Sequence, residues 1–152
     1  MALVRNPARE RLERGELALG ADVRVLGSPE IVKALASIGF DWLFIDAEHG
    51  PLGTNELLGI LTAVNRRAAC VVRVPSCDPV QIAKVLDLGA DGIIVPQVNT
   101  PQQAADAVRF ARYPPEGSRG VGLARAHGYG SKFKEYVESA NSEIAVIVQA
   151  EH

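Results

Sequence analysis

Residues 42–51, WLFIDAEHGP, run from an apolar segment into an Asp, a Glu and a His within four positions and then break at Gly50-Pro51. A continuous apolar run closed by a turn signal is the pattern of a short strand covered on both faces, so residues 42–45 read as a buried parallel strand. Asp46, Glu48 and His49 therefore stand at its carboxyl end. That placement raises the question of what an acid-acid-imidazole group does on the rim of a sheet.

Outward from this stretch the same grammar repeats. LALGADVRV, DWLFID, ACVVRVP, DGIIVPQ and EIAVIVQAE read as strands, and SPEIVKALASIG, TNELLGILTAVNRR, DPVQIAKVLDLG and TPQQAADAVRFAR carry helical periodicity between them. Strands alternating with helices of this length indicate βαβ units and a parallel sheet. Ser28-Pro29, Asp78-Pro79 and Thr100-Pro101 each place a capping side chain before a proline at the first helical position, and Gly39 and Gly89 stand where helices end. One irregular segment, YPPEGSRGVGLARAHGYGS at 113–131, is too long for a routine connection and reads as a functional loop.

Composition bounds the rest. The chain has 152 residues, 47% hydrophobic and 22% charged, the balance of one globular domain spanning 1–152. A net charge of −2 with the two signs interspersed leaves no footprint for nucleic acid and no polybasic membrane patch. The charged N-terminal segment RNPARERLERGELALG has no signal-peptide core and no run of apolar residues is long enough to span a bilayer, so a cytoplasmic location is expected. Cys70 and Cys77 have the spacing of neither a zinc site nor a redox pair.

Five βα units suit two architectures: the first five units of a (β/α)8 TIM barrel, or an open flavodoxin-like parallel sheet. A barrel of about 250 residues cut after five units would have roughly 156. The chain stops at Glu151-His152, straight after a strand with no covering helix, which favours the barrel reading. In either fold the polar residues collect at one place. His49, Arg73, Gln97, Gln149 and Glu151 all follow or close strands, and the carboxyl rim of a parallel sheet is where ligands bind. Gln149 and Glu151, two apart, point to one face.

The blocks GFDWLFIDAEHGP, VVRVP, LDLGADGIIVPQVNT, RYPPEGSRGVG and VIVQAE closely resemble the HpcH/HpaI aldolases, the metal-dependent class II pyruvate aldolases of the phosphoenolpyruvate/pyruvate superfamily. The resemblance implies a TIM barrel, assembled as a homo-hexamer, that cleaves a 4-hydroxy-2-keto acid to pyruvate and an aldehyde with a divalent cation (magnesium, manganese or cobalt). It implies His49 as catalytic base, Arg73 as the group that contacts substrate and stabilises the transition state, and Asp87 as the acid that raises the basicity of His49. It further implies Gln149 as a substrate contact and Glu151 as a metal ligand. The family's second metal carboxylate, after strand six, has no counterpart here.

This chemistry answers the opening question. Retro-aldol cleavage needs a base for the C4 hydroxyl proton and a sink for the enolate charge, and a rim histidine with an arginine and a carboxylate-held cation provides both. The alternative class I route needs a Schiff-base lysine. Lys33, Lys84, Lys132 and Lys134 all fall in helical or irregular segments.

Other residues admit plainer readings. Asp46 and Glu48 can cap the next helix, support the site or ligate metal. Gln97 is assigned no role. GSRGVG at 117–122 lacks the strand and helix of a nucleotide loop, although Arg119 can shape an anion pocket. Arg125 and His127 face either substrate or a subunit interface. Asp87, an acid in a helix's last turn, opposes the helix dipole and implies a specific partner. Simple topology puts it at the rim opposite His49, so their pairing rests on the resemblance.

Overall fold

Strand order separates the two architectures. In the computed structural model, which describes residues 6–24 and 28–151, β1 (Gly20–Val23), β2 (Trp42–Asp46), β3 (Ala69–Arg73), β4 (Gly92–Val95) and β5 (Ala145–Val148) are all parallel and lie side by side in chain order. A flavodoxin-type sheet would run 2-1-3-4-5. Right-handed crossovers between successive neighbours put every intervening helix on the same face. The sheet is thus an arc of a TIM-barrel-like fold, and the open-sheet alternative is set aside. Val25, in the first apolar run, and the terminal His152 lie outside the described residues.

The helices start where the capping signals place them. α2 (Pro29–Ser37), α4 (Pro79–Asp87) and α5 (Pro101–Ala111) begin at proline, with the side chains of Ser28, Asp78 and Thr100 accepting the N–H of Ile31, Gln81 and Gln103. Gln103 reaches back to the Thr100 N–H and completes a capping box. Gly39 and Gly89 follow α2 and α4 with φ of +104° and +94°. α3 (Thr54–Val64) ends instead on Asn65 in the left-handed region. The irregular loop contains a 3-10 turn, Arg125–His127, before α6 (Phe133–Glu143).

A further helix, α1 (Pro7–Glu13), precedes the sheet in the charged N-terminal segment, where the sequence reading places no element. Asn6 accepts the Arg9 N–H and donates its own amide to the Asp91 carbonyl, anchoring α1 beside the start of β4.

Strand alternation divides the side chains. Leu43, Ile45, Cys70, Val72, Ile93 and Val95 point to the helices and pack with buried Val32, Ile60, Ile82 and Leu86. On the other face the rows run Phe44, Val71, Gly92, Ala145 and then Asp46, Arg73, Ile94, Ile147. The second row is the last of the sheet, so polar groups on this face gather at its carboxyl rim.

Ile93 is fully buried between β4 and its covering helices, whereas Ile38 is 74% exposed. Ile93→Ala should lower unfolding free energy by roughly 2–5 kcal/mol, and Ile38→Ala by about 0.5 kcal/mol or less, as measured by urea denaturation.

Candidate active site

Asp46, the last residue of β2, is fully buried and surrounded by donors. Its Oδ1 accepts the backbone N–H of Glu48 (3.0 Å) and His49 (3.1 Å) and the Nε–H of Arg73 (3.0 Å). Its Oδ2 accepts from Arg73 Nη2 at 2.6 Å and pairs with Arg24 Nε at 3.0 Å. Burial alone would push this carboxyl up; the Arg73 hydrogen bonds and the His49 and Glu48 N–H groups outweigh it and hold the pKa down at about 2. With both oxygens committed to protein donors, Asp46 is a support rather than a metal ligand. It does not cap α3 either, whose N-cap is Gly53 with no side-chain bond.

Arg73 is held on several sides. Register places it beside Asp46, its guanidinium lies 5.3 Å from the centre of the Phe44 ring, and its Nε is 3.2 Å from Glu48 Oε2. The Asp46 hydrogen bond raises its pKa against the effect of burial, and the charges of Asp46, Glu48 and Glu151 add to the rise. Glu48 continues the chain of contacts, with Oε2 3.5 Å from His49 Nε2. The His49 side chain itself is 65% exposed, open to a reacting group.

Gly50 closes this turn against backbone. A Cβ there would stand 2.6 Å from the Asp46 carbonyl oxygen and 2.9 Å from that of Arg24, so only glycine lets the loop pass.

The β5 side of the rim is set by β4. Val98 N–H donates to the Gln149 carbonyl at 2.9 Å, and Gln97 N–H donates to Glu151 Oε1 at 3.1 Å. Gln97 achieves this in the left-handed region, φ 55°. It therefore has the role that sequence alone does not assign it. Gln149 Oε1 is buried without a hydrogen-bond partner among the described residues.

Of the residues expected at the site, His49, Arg73, Gln149 and Glu151 share this rim. Asp87 does not join them: it ends α4 at the opposite rim, where its Oδ1 accepts from Arg119 Nη2 at 2.7 Å. Arg119 is fully enclosed, 4.5 Å from the Tyr113 ring centre and 3.4 Å from the Tyr136 hydroxyl. It is the partner that the dipole argument requires, and it shapes no open anion pocket. His127 is also buried, its ring nitrogens bonded to the backbone of Gly122, Ala124 and Gly130. Arg24, which follows a half-exposed strand, is a rim residue with no sequence signal of its own, and Gly50 signals only a turn.

No group of three or more His, Cys, Asp and Glu side chains is arranged to hold a metal among the described residues. Glu151 and the unpartnered Gln149 Oε1 supply oxygen donors of the kind a hard divalent cation takes. They fit as part of a site.

An arc of consecutive parallel βα units with a charged carboxyl rim defines a TIM-barrel-like α/β enzyme class. Residues 25–152 match the HpcH/HpaI aldolase/citrate lyase family, and the chain belongs to it. It is 42% identical over 148 residues to a 4-hydroxy-2-oxovalerate aldolase of Novosphingobium aromaticivorans, covering 96% of this chain and 56% of that protein. It is 39% identical to a hydroxypyruvate/pyruvate aldolase of Sagittula stellata, covering 99% and 60%. A crystal structure of an HpcH/HpaI aldolase/citrate lyase family protein from Burkholderia cenocepacia superposes with a TM-score of 0.86 at 38% identity, covering 95% of this chain and 59% of that one. The chain thus spans a little over half the length of the relatives it matches. Among the described residues no helix is long and apolar enough to cross a membrane.

Two outcomes follow from the Asp46 centre. Gly50→Ala should displace the 46–50 turn and lower thermal stability, because the obstacle is backbone. The depressed Asp46 pKa contributes stability that is fully present above the ordinary carboxyl value of about 4. That contribution disappears as pH falls through about 2. Asp46→Asn should therefore flatten the loss of stability across this acid range in urea titrations at stepped pH.

Proposed function

We propose that this chain carries half of the machinery of a cytoplasmic, divalent-metal-dependent lyase that cleaves a 4-hydroxy-2-keto acid reversibly to pyruvate and an aldehyde. The observation that supports the reading best is the convergence on one rim of an exposed histidine, a buried and fully braced arginine, and a carboxylate held by the neighbouring strand.

His49 takes the C4 hydroxyl proton, directly or through a water, as the C3–C4 bond breaks. Glu48, 3.5 Å from its Nε2, orients the ring. Arg73 faces the negative charge that develops on the keto-acid oxygen. Its guanidinium is fixed before substrate arrives, so little reorganisation accompanies the charge shift. Gln149 contacts substrate through its side-chain amide, whose oxygen has no hydrogen-bond partner among the described residues. Glu151 would hold magnesium, manganese or cobalt as one member of a larger ligand set, and the cation when bound supplies an electron sink for the 2-keto acid.

Asp87 tunes His49 in this proposal only if a second copy of the chain delivers it, since within one chain it lies on the opposite rim with Arg119. That requirement agrees with a homo-oligomer, a hexamer when complete. The four lysines support no covalent route: they occupy α2, α4, the residue before α6 and α6 itself, and none closes a strand.

In the protein with its complete barrel, His49→Ala should reduce kcat by about 10²–10⁴-fold, the usual range for a general base, with a smaller change in KM. Chelator should abolish pyruvate release and added divalent cation should restore it. Borohydride with pyruvate should trap no adduct; labelling of any lysine would contradict the proposal.

A further inference from the structure

Arg119 is enclosed, whereas the acid it pairs with is not. Its side chain has no exposed surface, its guanidinium lies 4.5 Å and 5.8 Å from the ring centres of Tyr113 and Tyr136, and its Nη2 donates to Asp87 Oδ1 at 2.7 Å. No other carboxylate pairs with it among the described residues. Asp87 keeps 22% of its side chain at the surface, and its Oδ2 accepts no hydrogen bond among the described residues. A pair that served only the fold would have no need to leave one oxygen outside. The dipole at the end of α4 also disfavours an acid there, so the cation both retains the charge and sets its angle.

The following loop leaves this oxygen clear. A Cβ on Gly122 would stand 3.5 Å from Asp87 Oδ2 and, its chain neighbours aside, meet nothing else within 4 Å. Val121 and Leu123 on either side of it are 54% and 77% exposed. The segment is nonetheless fixed: the Gly122 carbonyl lies 2.6 Å from His127 Nε2, and the Gly130 N–H donates to His127 Nδ1 at 3.1 Å. A held anion between two apolar shoulders is a surface suited to contact with another protein chain.

We propose that Arg119 is a positioning residue for the aldolase reaction. It grips Oδ1 of Asp87 so that Oδ2 faces outward to the His49 of a second copy, and Gly122 keeps the approach to that oxygen open. The role rests on Asp87 tuning His49 across copies. Outer partners of this kind act by fixing the orientation of the group that does the chemistry.

In the protein with its complete barrel, Arg119→Gln should lower kcat by up to about 10²-fold with little change in KM. Gly122→Val, at an exposed position that leaves the ion pair intact, should act in the same direction. Mixed oligomers separate orientation from general damage. Arg119→Gln reassembled with His49→Ala should recover up to about a quarter of wild-type turnover, the share of random neighbours that join an intact His49 to an intact Asp87–Arg119 pair. Reassembled with Asp87→Asn it should gain nothing, because no such pairing forms. Recovery with both companions or with neither overturns the assignment, as does wild-type kcat in both single variants. If Arg119→Gln does not assemble, Gly122→Val mixed with the same two companions decides by the same outcomes. A wild-type protein that releases no pyruvate removes the aldolase reading and this role with it, whereas an active wild type with unaffected variants removes this role alone.

Discussion

A carboxylate buried at the end of a strand is costly unless its oxygens are filled, and the rest of the rim follows from how Asp46 is filled. The register of β2 against β3 sets Asp46 beside Arg73, and the two side chains meet through paired N–H···O bonds. The same carboxylate accepts two backbone N–H groups from the turn that follows, so the path of the chain through Glu48 and His49 is fixed by the group that fixes the arginine. Arg24 brings β1 to the same oxygen. Three strands and one loop are thereby referenced to a single charge, and His49 projects from it into open space.

The two rims divide the work. At the carboxyl rim the outermost groups remain accessible above buried Asp46 and Arg73: His49 is exposed, and Glu151 is pinned by one backbone N–H yet exposed. At the opposite rim most polar groups are spent on the fold. Arg119 is enclosed by Asp87, Tyr113 and Tyr136, and Arg125 holds the carboxyl ends of α3 and α4. An arc of five parallel strands is consistent with a chain that spans a little over half of its relatives.

Much of this was legible in the sequence because it depends on local signals. A capping side chain before proline fixes a helix start whatever the tertiary context, and the starts at Pro29, Pro79 and Pro101 are where they were read. The rim positions of His49, Arg73 and Glu151 follow from strand direction alone. Strand order does not, since an apolar run shows that a segment is buried without naming its neighbour. The uncovered last strand and the family resemblance both favoured the barrel, and the observed order agrees with it. The role of Asp46 was one of three open readings because capping, support and ligation use the same side chain; only its five donors decide. Gln97 gave no sign because a left-handed glutamine has no local signature. The partner of Asp87 lies 32 residues away, in a loop without periodicity. Helix α1 has no place in the sequence reading, although Asn6-Pro7 carries the same start signal as the others.

The account stands or falls on the coupling between Asp46 and Arg73. A double-mutant cycle with Asp46→Asn and Arg73→Gln, read as unfolding free energy at neutral pH, measures it directly. Breaking a buried pair from either side leaves an uncompensated group and costs about 3–5 kcal/mol. The account therefore predicts that the double variant is destabilised by much less than the sum of the two single variants. Strict additivity, with each substitution costing the same in the presence and absence of the other, would contradict it.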